Sequence, residues 1–228
     1  MEKFNNRIEE NNGQENEKIK ESIEKIENAL LPVDQKIDLM LLMLDRKSAT
    51  FLGDLDGVES EEHKQKLIKE FTEEFNTLIV LLKDIDLPYE IIREVENRDD
   101  TIGFSIVVTK EVENLTKIER AVRENDDRTM GLLFGYPKTA VETYNTQDAI
   151  DLETEFPDEF AILRKEGMVP FLGFAPSKSH WKEELEWARD NKKSIEQHSP
   201  NTLKLGIKES EEYMDAFARE RSLHSEKE

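Results

Sequence analysis

The segment from Met130 to Tyr144 reads MGLLFGYPKTAVETY and contains the chain's one Gly-Tyr-Pro sequence. Its apolar run, the glycine at 135 and the proline at 137 predict a short helix, a sharp turn and a second helix that opens at the proline. Two helices that cross at so short a turn need a small residue at the crossing and apolar residues that hold their axes. The residues predicted to form this helix–turn–helix-like corner, which covers 128–144, are Gly131, Gly135, Tyr136, Pro137, Val141 and Tyr144.

The spacing of the corner is also that of a DNA-binding helix–turn–helix, whose second helix would present Lys138, Thr139 and Thr143 to the major groove. The charge of the region opposes this function. Between Glu111 and Glu155 there are eleven acids and five bases, a balance of −6. A DNA-binding protein draws most of its non-specific affinity from Lys and Arg contacts to phosphates. We therefore expect no nucleic-acid partner and keep a DNA-binding regulator as an alternative.

The amino-acid composition and net charge exclude several classes of protein. The chain has 52 acids against 32 Lys and Arg, a net charge of −20, and no cysteine. The charge predicts repulsion from nucleic acids and from anionic membranes. The lack of cysteine excludes disulfides, thiol nucleophiles and thiolate metal sites. The polar N-terminus has no signal-peptide pattern, and the longest apolar run, Leu39 to Leu44, is too short to span a bilayer. We expect a cytoplasmic protein without a membrane partner.

Residues 1–14 are rich in Asn, Glu and Gln and are predicted to be disordered. A single globular domain is predicted over 15–221, followed by a frayed tail over 222–228. Apolar residues recur at intervals of three and four within this domain. Their periodicity predicts helices that begin near Glu15, Pro32, Glu59, Glu111, Ser177 and Lys208.

Two segments alternate in polarity, 89–96 and 102–109, and a turn-rich linker joins them, which predicts an antiparallel hairpin. The segment 168–174 predicts an edge strand, because Pro170 cannot donate a hydrogen bond to a ladder. A further short strand is predicted at 203–207. The expected fold class is α+β and mostly helical, with helices packed around a small antiparallel sheet.

The sequence from Gly53 to Val58, GDLDGV, resembles the first motif of haloacid-dehalogenase-type phosphatases. The resemblance implies Asp54 as nucleophile, Asp56 as acid/base and a magnesium ion beside them. That chemistry requires a loop at the carboxyl end of a buried parallel strand, and residues 45–52 predict such a strand poorly. An Asp/Gly-rich turn between two helices explains the same residues. A magnesium-dependent phosphohydrolase is kept as a second alternative.

The sequence Gly-Tyr-Pro at 135–137, followed by Val141 and Tyr144, resembles an archaeal family of unknown function that carries a Gly-Tyr-Pro-x-Cys-Cys-Val segment. Phe174 to Ser177 resembles a second segment of that family. Thr139 and Ala140 stand where the family has its cysteine pair, and Ser177 stands for a third cysteine. The resemblance implies a lineage but no activity. Any metal or redox chemistry of those cysteines would be lost in this chain.

No complete catalytic set is visible in the sequence. It has no Gly-rich phosphate loop, no Gly-x-Ser-x-Gly elbow and no His-Glu-x-x-His motif, and its four histidines are isolated. We therefore expect no catalytic residue, no cofactor and no metal ligand. The expectation for function is an acidic, archaeal-type, non-catalytic protein that acts through contacts with protein partners.

Overall fold

A computed structural model of the chain describes residues 2–98 and 101–225. The chain divides into two compact units, unit 1 up to Gly135 and unit 2 from Tyr136 onward. Each unit has its own buried apolar residues. The sequence predicts no boundary at this position, and the single domain over 15–221 stays a prediction.

Unit 1 contains five helices and all three described strands. In chain order they are α1 (Glu2–Asn28), α2 (Val33–Met43), β1 (Ala49–Gly57), α3 (Glu61–Asp84), β2 (Tyr89–Arg98), β3 (Thr101–Thr109), α4 (Val112–Glu124) and α5 (Asp127–Leu133). The named elements of unit 2 among its described residues are all helical. Unit 2 contains α6 (Lys138–Thr143), α7 (Leu152–Glu155), α8 (Pro157–Lys165), a 3-10 turn (Val169–Phe171), α9 (Trp181–His198) and α10 (Pro200–Ser225).

The sheet of unit 1 has the strand order β1-β3-β2, and both pairings are antiparallel. This confirms the α+β, mostly helical fold class and the predicted hairpin of β2 and β3. The alternating side chains of the two segments favour pairing of this kind. The predicted turn between them includes residues 99 and 100, which lie outside the described part of the chain.

The central strand β3 is covered on both faces. On one face, Phe104 packs edge-to-face against Phe71 and Phe75 of α3, with ring centroids 6.3 and 5.6 Å away. On the other face, Val107 forms a buried cluster with Ala49 of β1 and Ile118 of α4. Side chains of successive residues point to opposite faces of a sheet. This arrangement explains why β3 is almost continuously buried.

Strand β1 corrects the sequence analysis, which favours a turn between two helices at Gly53–Val58. The strand instead runs to Gly57 and pairs with β3 without interruption, from Ala49 opposite Thr109 to Gly57 opposite Thr101. Its first four residues are buried or half-buried, whereas its last five are exposed. Pairing with an already buried neighbour outweighs the weak strand preference of Asp and Gly.

Two glycines allow β1 and β3 to approach closely. A Cβ atom on Gly103 would lie 2.2 Å from the carbonyl oxygen of Asp54, and one on Gly53 would lie 2.2 Å from that of Phe104. Gly53 also has a φ of +151°, a conformation that L side chains rarely adopt. The pairing of β1 with β3 therefore depends on the absence of a side chain at both positions.

Two predicted strands are helical in the structure. Within the segment 168–174, Val169–Phe171 form a 3-10 turn with Pro170 inside it, where the missing N–H of proline costs no ladder hydrogen bond. The segment 203–207 belongs to α10, which begins at Pro200 directly after α9. Both segments are short apolar runs, and such runs suit buried helices as well as strands.

The terminal segments are helical where the structure describes them, and the disorder predicted for residues 1–14 and the frayed tail stay predictions. Helix α1 begins at Glu2 rather than near Glu15, so it includes the segment predicted to be disordered. That segment has no proline, and its Glu, Lys, Arg and Gln residues are good helix formers. Helix α10 extends to Ser225, and residues 226–228 of the predicted tail lie outside the described residues. None of the described helices is long and apolar enough to cross a membrane.

Unit 2 contains a buried polar contact at the start of α9. Glu184 is 2% exposed, and its carboxylate accepts hydrogen bonds from the backbone N–H and the hydroxyl of Ser177, both at 2.6 Å. The Ser177 hydroxyl oxygen in turn accepts from the N–H of His180 at 3.2 Å. A buried carboxylate is costly unless hydrogen bonds satisfy it, and these donors fulfil that requirement.

Candidate functional site

The predicted corner at 128–144 contains the boundary between the two units. In unit 1, Gly131 is buried on α5, and Gly135 has the positive φ of +75° expected of a glycine at the end of a helix. A Cβ atom on Gly135 would lie 2.4 Å from the carbonyl oxygen of Arg46, so only glycine fits here. Tyr136 begins unit 2. The crossing of the two helices stays a prediction.

In unit 2, Pro137 occupies the N-cap position of α6, consistent with the predicted opening of a helix at this proline. Val141 is buried, as the prediction requires. Tyr144 is 50% exposed at the C-terminal end of α6, so only part of its ring can contribute to a core.

The three predicted DNA contacts all lie on α6, which has six residues. Lys138 is exposed, and its Nζ lies 3.7 Å from Oε1 of Glu142. Thr139 and Thr143 are half-buried, and the Thr143 hydroxyl is 3.1 Å from the carbonyl oxygen of Thr139. This geometry gives no support to the DNA-binding alternative, which stays a prediction.

The two segments that carry the archaeal resemblance come together in unit 2. The rings of Tyr136 and Phe174 have centroids 5.8 Å apart, and Trp187 of α9 packs on both at 5.9 and 5.4 Å. Such distances are those of rings in direct contact. The cluster therefore holds α6 and the 174–177 segment against α9, and it leaves no space for a ligand between the rings.

Asp54 and Asp56 lie in the exposed part of β1. Each carboxylate accepts a hydrogen bond from the backbone N–H of the following residue, Leu55 at 2.8 Å and Gly57 at 2.7 Å. The strand is antiparallel to its neighbour and lies at a sheet edge. The phosphohydrolase reaction needs the end of a buried parallel strand, so the geometry gives that alternative no support.

These hydrogen bonds identify the outer edge of β1. Alternate residues of a paired strand direct their N–H groups to opposite sides. Because the N–H groups of Leu55 and Gly57 bond to side-chain carboxylates, they point away from β3. Leu55 is also 57% exposed, which is unusual for a leucine in a strand. The end of β1 thus presents two backbone N–H groups at its outer edge. Carboxylates of the same strand accept hydrogen bonds from them, and no neighbouring strand of the described chain pairs with this edge.

Further acids lie on the same side of the sheet. Desolvation by the surrounding protein raises the pKa of Asp34, although this side chain keeps contact with solvent, and Asp38 and Asp54 raise it further. Desolvation also raises the pKa of Glu74, with smaller contributions from Asp54 and Asp34. The end of β1 and the adjoining parts of α2 and α3 therefore form one region of mutually repelling carboxylates, which we name the acidic edge: Asp34, Asp54, Asp56 and Glu74.

Gln35 links two of the helices that form the acidic edge. Its side chain is 4% exposed and donates a hydrogen bond of 2.6 Å from Nε2 to Oε1 of Glu74. This bond lowers the pKa of Glu74 and partly offsets the effect of burial. The Gln35 Oε1 atom is buried without a hydrogen-bond partner among the described residues. Buried polar groups without a partner in the protein are uncommon.

Chemically, the acidic edge can attract and bind cationic groups. No set of three or more His, Asp or Glu in the described part of the chain is arranged to hold a metal ion. Two of the carboxylates, Asp54 and Asp56, lie on the edge strand β1, and the other two lie on α2 and α3. A partner with several separated positive charges can meet them. Sequence reasoning identified Asp54 and Asp56 but assigned them to a different chemistry. It missed Asp34 and Glu74, because their proximity depends on tertiary packing.

Comparison with protein-family models, with curated proteins and with solved structures finds no match to this chain. The resemblance to the archaeal family with the Gly-Tyr-Pro-x-Cys-Cys-Val segment stays a prediction.

The raised pKa of Glu74 leads to a prediction for stability. Because its folded-state pKa lies above the ordinary value of 4.5, the ionised carboxyl destabilises the folded state at neutral pH. This destabilisation disappears as the pH falls through the folded-state pKa. We expect Glu74→Gln to raise the free energy of unfolding at pH 7 by less than about 1 kcal/mol, since solvent screens the half-buried group.

Urea unfolding followed by far-UV circular dichroism at pH 7 and near pH 4.5 measures the effect of Glu74→Gln, and the gain should shrink at the lower pH. Glutamine keeps an oxygen that can accept from Gln35. The matched control is Glu73→Gln, one residue earlier on the exposed side of α3. Equal gains in both variants would show that only net charge matters and that the acidic edge has no local effect.

Proposed function

We propose that this protein is a non-catalytic protein-binding module, and that its partner adds an extended basic segment to the outer edge of β1. The observation that carries the proposal is the exposed end of β1, where the N–H groups of Leu55 and Gly57 meet only the carboxylates of Asp54 and Asp56. Strand addition supplies main-chain hydrogen bonds to such an edge, and side chains at alternate positions give specificity.

The chemistry of the edge defines the partner. Side chains at every second position of an added strand lie on one face of the sheet. On one face they would meet Asp54 and Asp56, with Glu74 and Asp34 close by, so Lys or Arg is favoured there. On the other face an apolar residue would cover the exposed Leu55. The net charge of −20 would also steer a basic partner toward the protein.

The opposite edge of the sheet is less suited to strand addition. The pairing of β2 with β3 has register shifts between Ile91 and Arg93 and between Arg93 and Glu96. Irregularities of this kind twist a strand and interrupt the row of hydrogen-bonding groups, and proteins use them to protect exposed edges. The register of β1 with β3 is unbroken over all nine residues, so β1 offers the regular edge.

Binding of synthetic peptides tests the proposal. We expect a fluorescein-labelled peptide of alternating Lys and Val to bind the protein at low salt, with fluorescence anisotropy as the measurement. Asp54→Asn combined with Asp56→Asn should weaken binding about tenfold or more, since two charge-assisted contacts are lost. Leu55→Pro should weaken it as strongly, because it removes a backbone donor that points away from β3.

The controls separate strand addition from diffuse charge attraction. A peptide of alternating Lys and Pro has the same charge but only half the N–H donors. It should bind poorly. Asp158→Asn with Glu159→Gln removes two exposed charges from α8 of unit 2 and should leave binding unchanged. The proposal is wrong if the Lys-Val peptide fails to bind the wild-type protein, or if the proline peptide binds equally well.

A further inference from the structure

The side chain of Gln35 carries a hydrogen-bond acceptor that no described residue uses. It is 4% exposed, its Nε2 donates to Oε1 of Glu74 at 2.6 Å, and its own Oε1 is buried without a partner. Both polar atoms belong to one planar amide group, so the unpartnered oxygen lies close to the Glu74 carboxylate. A bound group that brings N–H donors to this place would gain a hydrogen bond that the free protein lacks.

The sheet register brings Asp54 to the same place as Glu74. Asp54 lies directly opposite Phe104, and opposite residues of paired strands direct their side chains to the same face. The ring of Phe104 packs on Phe75 of α3, the residue after Glu74, with centroids 5.6 Å apart. Asp54 and Glu74 therefore lie on the same face of the sheet, with the Gln35 amide beside Glu74.

These carboxylates have no cation to neutralise them within the described part of the chain. Desolvation raises the pKa of Glu74, and the charges of Asp54 and Asp34 raise it further, with no opposing effect from a Lys or Arg side chain. A bound cation would relieve this repulsion. Since the described acids are not arranged to hold a metal ion, a cation that carries N–H donors fits better.

Strand addition, the proposed function on which this inference rests, changes the hydrogen bonds of Asp54. In the free protein its carboxylate accepts from the N–H of Leu55 at 2.8 Å. A strand added at the outer edge takes that N–H for one of its own carbonyl groups, so Asp54 needs another donor. We propose that one lysine of the added strand places its ammonium group between Asp54, Glu74 and the Oε1 atom of Gln35. The three N–H donors of an ammonium match these three acceptors.

Lysine fits this site better than arginine does. An ammonium is compact and ends a thin aliphatic chain, whereas a guanidinium is a wide planar fork that suits the two oxygens of one carboxylate. The Gln35 oxygen is buried, so only a narrow group reaches it as the half-buried Glu74 side chain turns. Gln35 therefore selects lysine at one position of the partner, while the exposed Asp56 accepts either basic residue.

Peptides that differ only in the basic residue test the lysine site on the wild-type protein. We expect the labelled Lys-Val peptide to bind about tenfold more tightly than an Arg-Val peptide of equal length, the effect of one hydrogen bond to a charged group. A Lys-Val peptide with trimethylated lysines keeps every charge and loses every side-chain N–H donor. It should also bind about tenfold more weakly. Fluorescence anisotropy at one fixed salt concentration measures all three peptides.

The variant Gln35→Met removes the amide and tests the residue itself. It should weaken binding of the Lys-Val peptide about tenfold and change that of the Arg-Val peptide by less than about twofold. The matched control is Gln65→Met on α3, which removes an exposed glutamine whose Nε2 donates to Glu61 at 2.9 Å. This control should keep the full preference for lysine.

The outcomes separate the lysine site from strand addition. Equal binding of the Lys-Val and Arg-Val peptides to the wild-type protein, or equal binding of the trimethylated peptide, overturns the lysine site and leaves strand addition standing. A Gln35→Met variant that keeps the preference for lysine overturns the site as well. If no peptide binds the wild-type protein, strand addition is wrong and the lysine site fails with it.

Discussion

Gly103→Ala is expected to loosen the attachment of β1 to β3 and to reduce the stability of unit 1 by about 2–3 kcal/mol. The new Cβ would lie 2.2 Å from the carbonyl oxygen of Asp54 and 2.9 Å from the Cα of Leu55. Both contacts are with backbone, so no side-chain rotation relieves them. The strands would have to separate, and the exposed end of β1 would lose its pairing with β3.

Amide hydrogen exchange of residues 49–57 and 101–109 measures this effect most directly, because exchange reports local opening. Both tryptophans, Trp181 and Trp187, lie in unit 2, so their fluorescence reports on the other unit. The matched control is Gly57→Ala in the same strand, where a new Cβ meets no atom within 4 Å. If the amide hydrogens of these two segments exchange as slowly in Gly103→Ala as in Gly57→Ala, the sheet does not need the close approach of the two backbones.

The same variant tests the proposed function from another direction. Gly103 does not take part in peptide binding, because it lies on the central strand. If strand addition requires β1 to be paired with β3, Gly103→Ala should weaken binding of the Lys-Val peptide although no acid has changed. If binding needs only the carboxylates of Asp54 and Asp56, affinity should persist in this variant.

Local sequence patterns are enough to predict much of this fold. The apolar residues of α3 recur at three and four positions, and those of β2 and β3 alternate, so each element carries its own period. The start of α5 follows from Asp126, whose carboxylate accepts from the N–H of Thr129 at 3.0 Å. In these segments the local preference and the tertiary structure agree.

The strand β1 shows where such patterns fail. Its second half, Gly53 to Gly57, contains residues with the lowest strand preferences. It becomes a strand because β3 offers a partner and because Gly53 and Gly103 permit close approach. The one local signal is the β-prone sequence from Thr50 to Leu52, which is too short to define a strand alone.

The acidic edge could not be predicted for a related reason. Asp34, Asp54 and Glu74 belong to three different elements, and each is unremarkable in its own segment. They interact only because α2 and α3 pack on the same side of the sheet. Two effects show the proximity, the raised pKa values of Asp34 and Glu74 and the hydrogen bond from Gln35 to Glu74, and both depend on that packing.

Glu184→Ala is expected to destabilise unit 2 by about 3 kcal/mol or more. The substitution leaves the N–H and hydroxyl of Ser177 buried without an acceptor and creates a cavity where the carboxylate lay. Each unsatisfied buried donor costs about 1–3 kcal/mol, and the cavity adds to this cost. Ser177→Ala removes one donor and leaves the other, so its expected effect is smaller, about 1–2 kcal/mol.

The tryptophans make this prediction easy to test, since Trp181 and Trp187 lie one turn to either side of Glu184 on α9. Urea unfolding followed by their fluorescence therefore reports on unit 2. Glu183→Ala, at the neighbouring exposed position, is the control and should change the stability by less than about 0.5 kcal/mol. If Glu184→Ala and Glu183→Ala unfold at the same urea concentration, Glu184 is not the buried hydrogen-bonded group that orders the start of α9. The loss of stability is expected to be largest for Glu184→Ala, smaller for Ser177→Ala and smallest for Glu183→Ala only if the number of unsatisfied buried groups determines that loss.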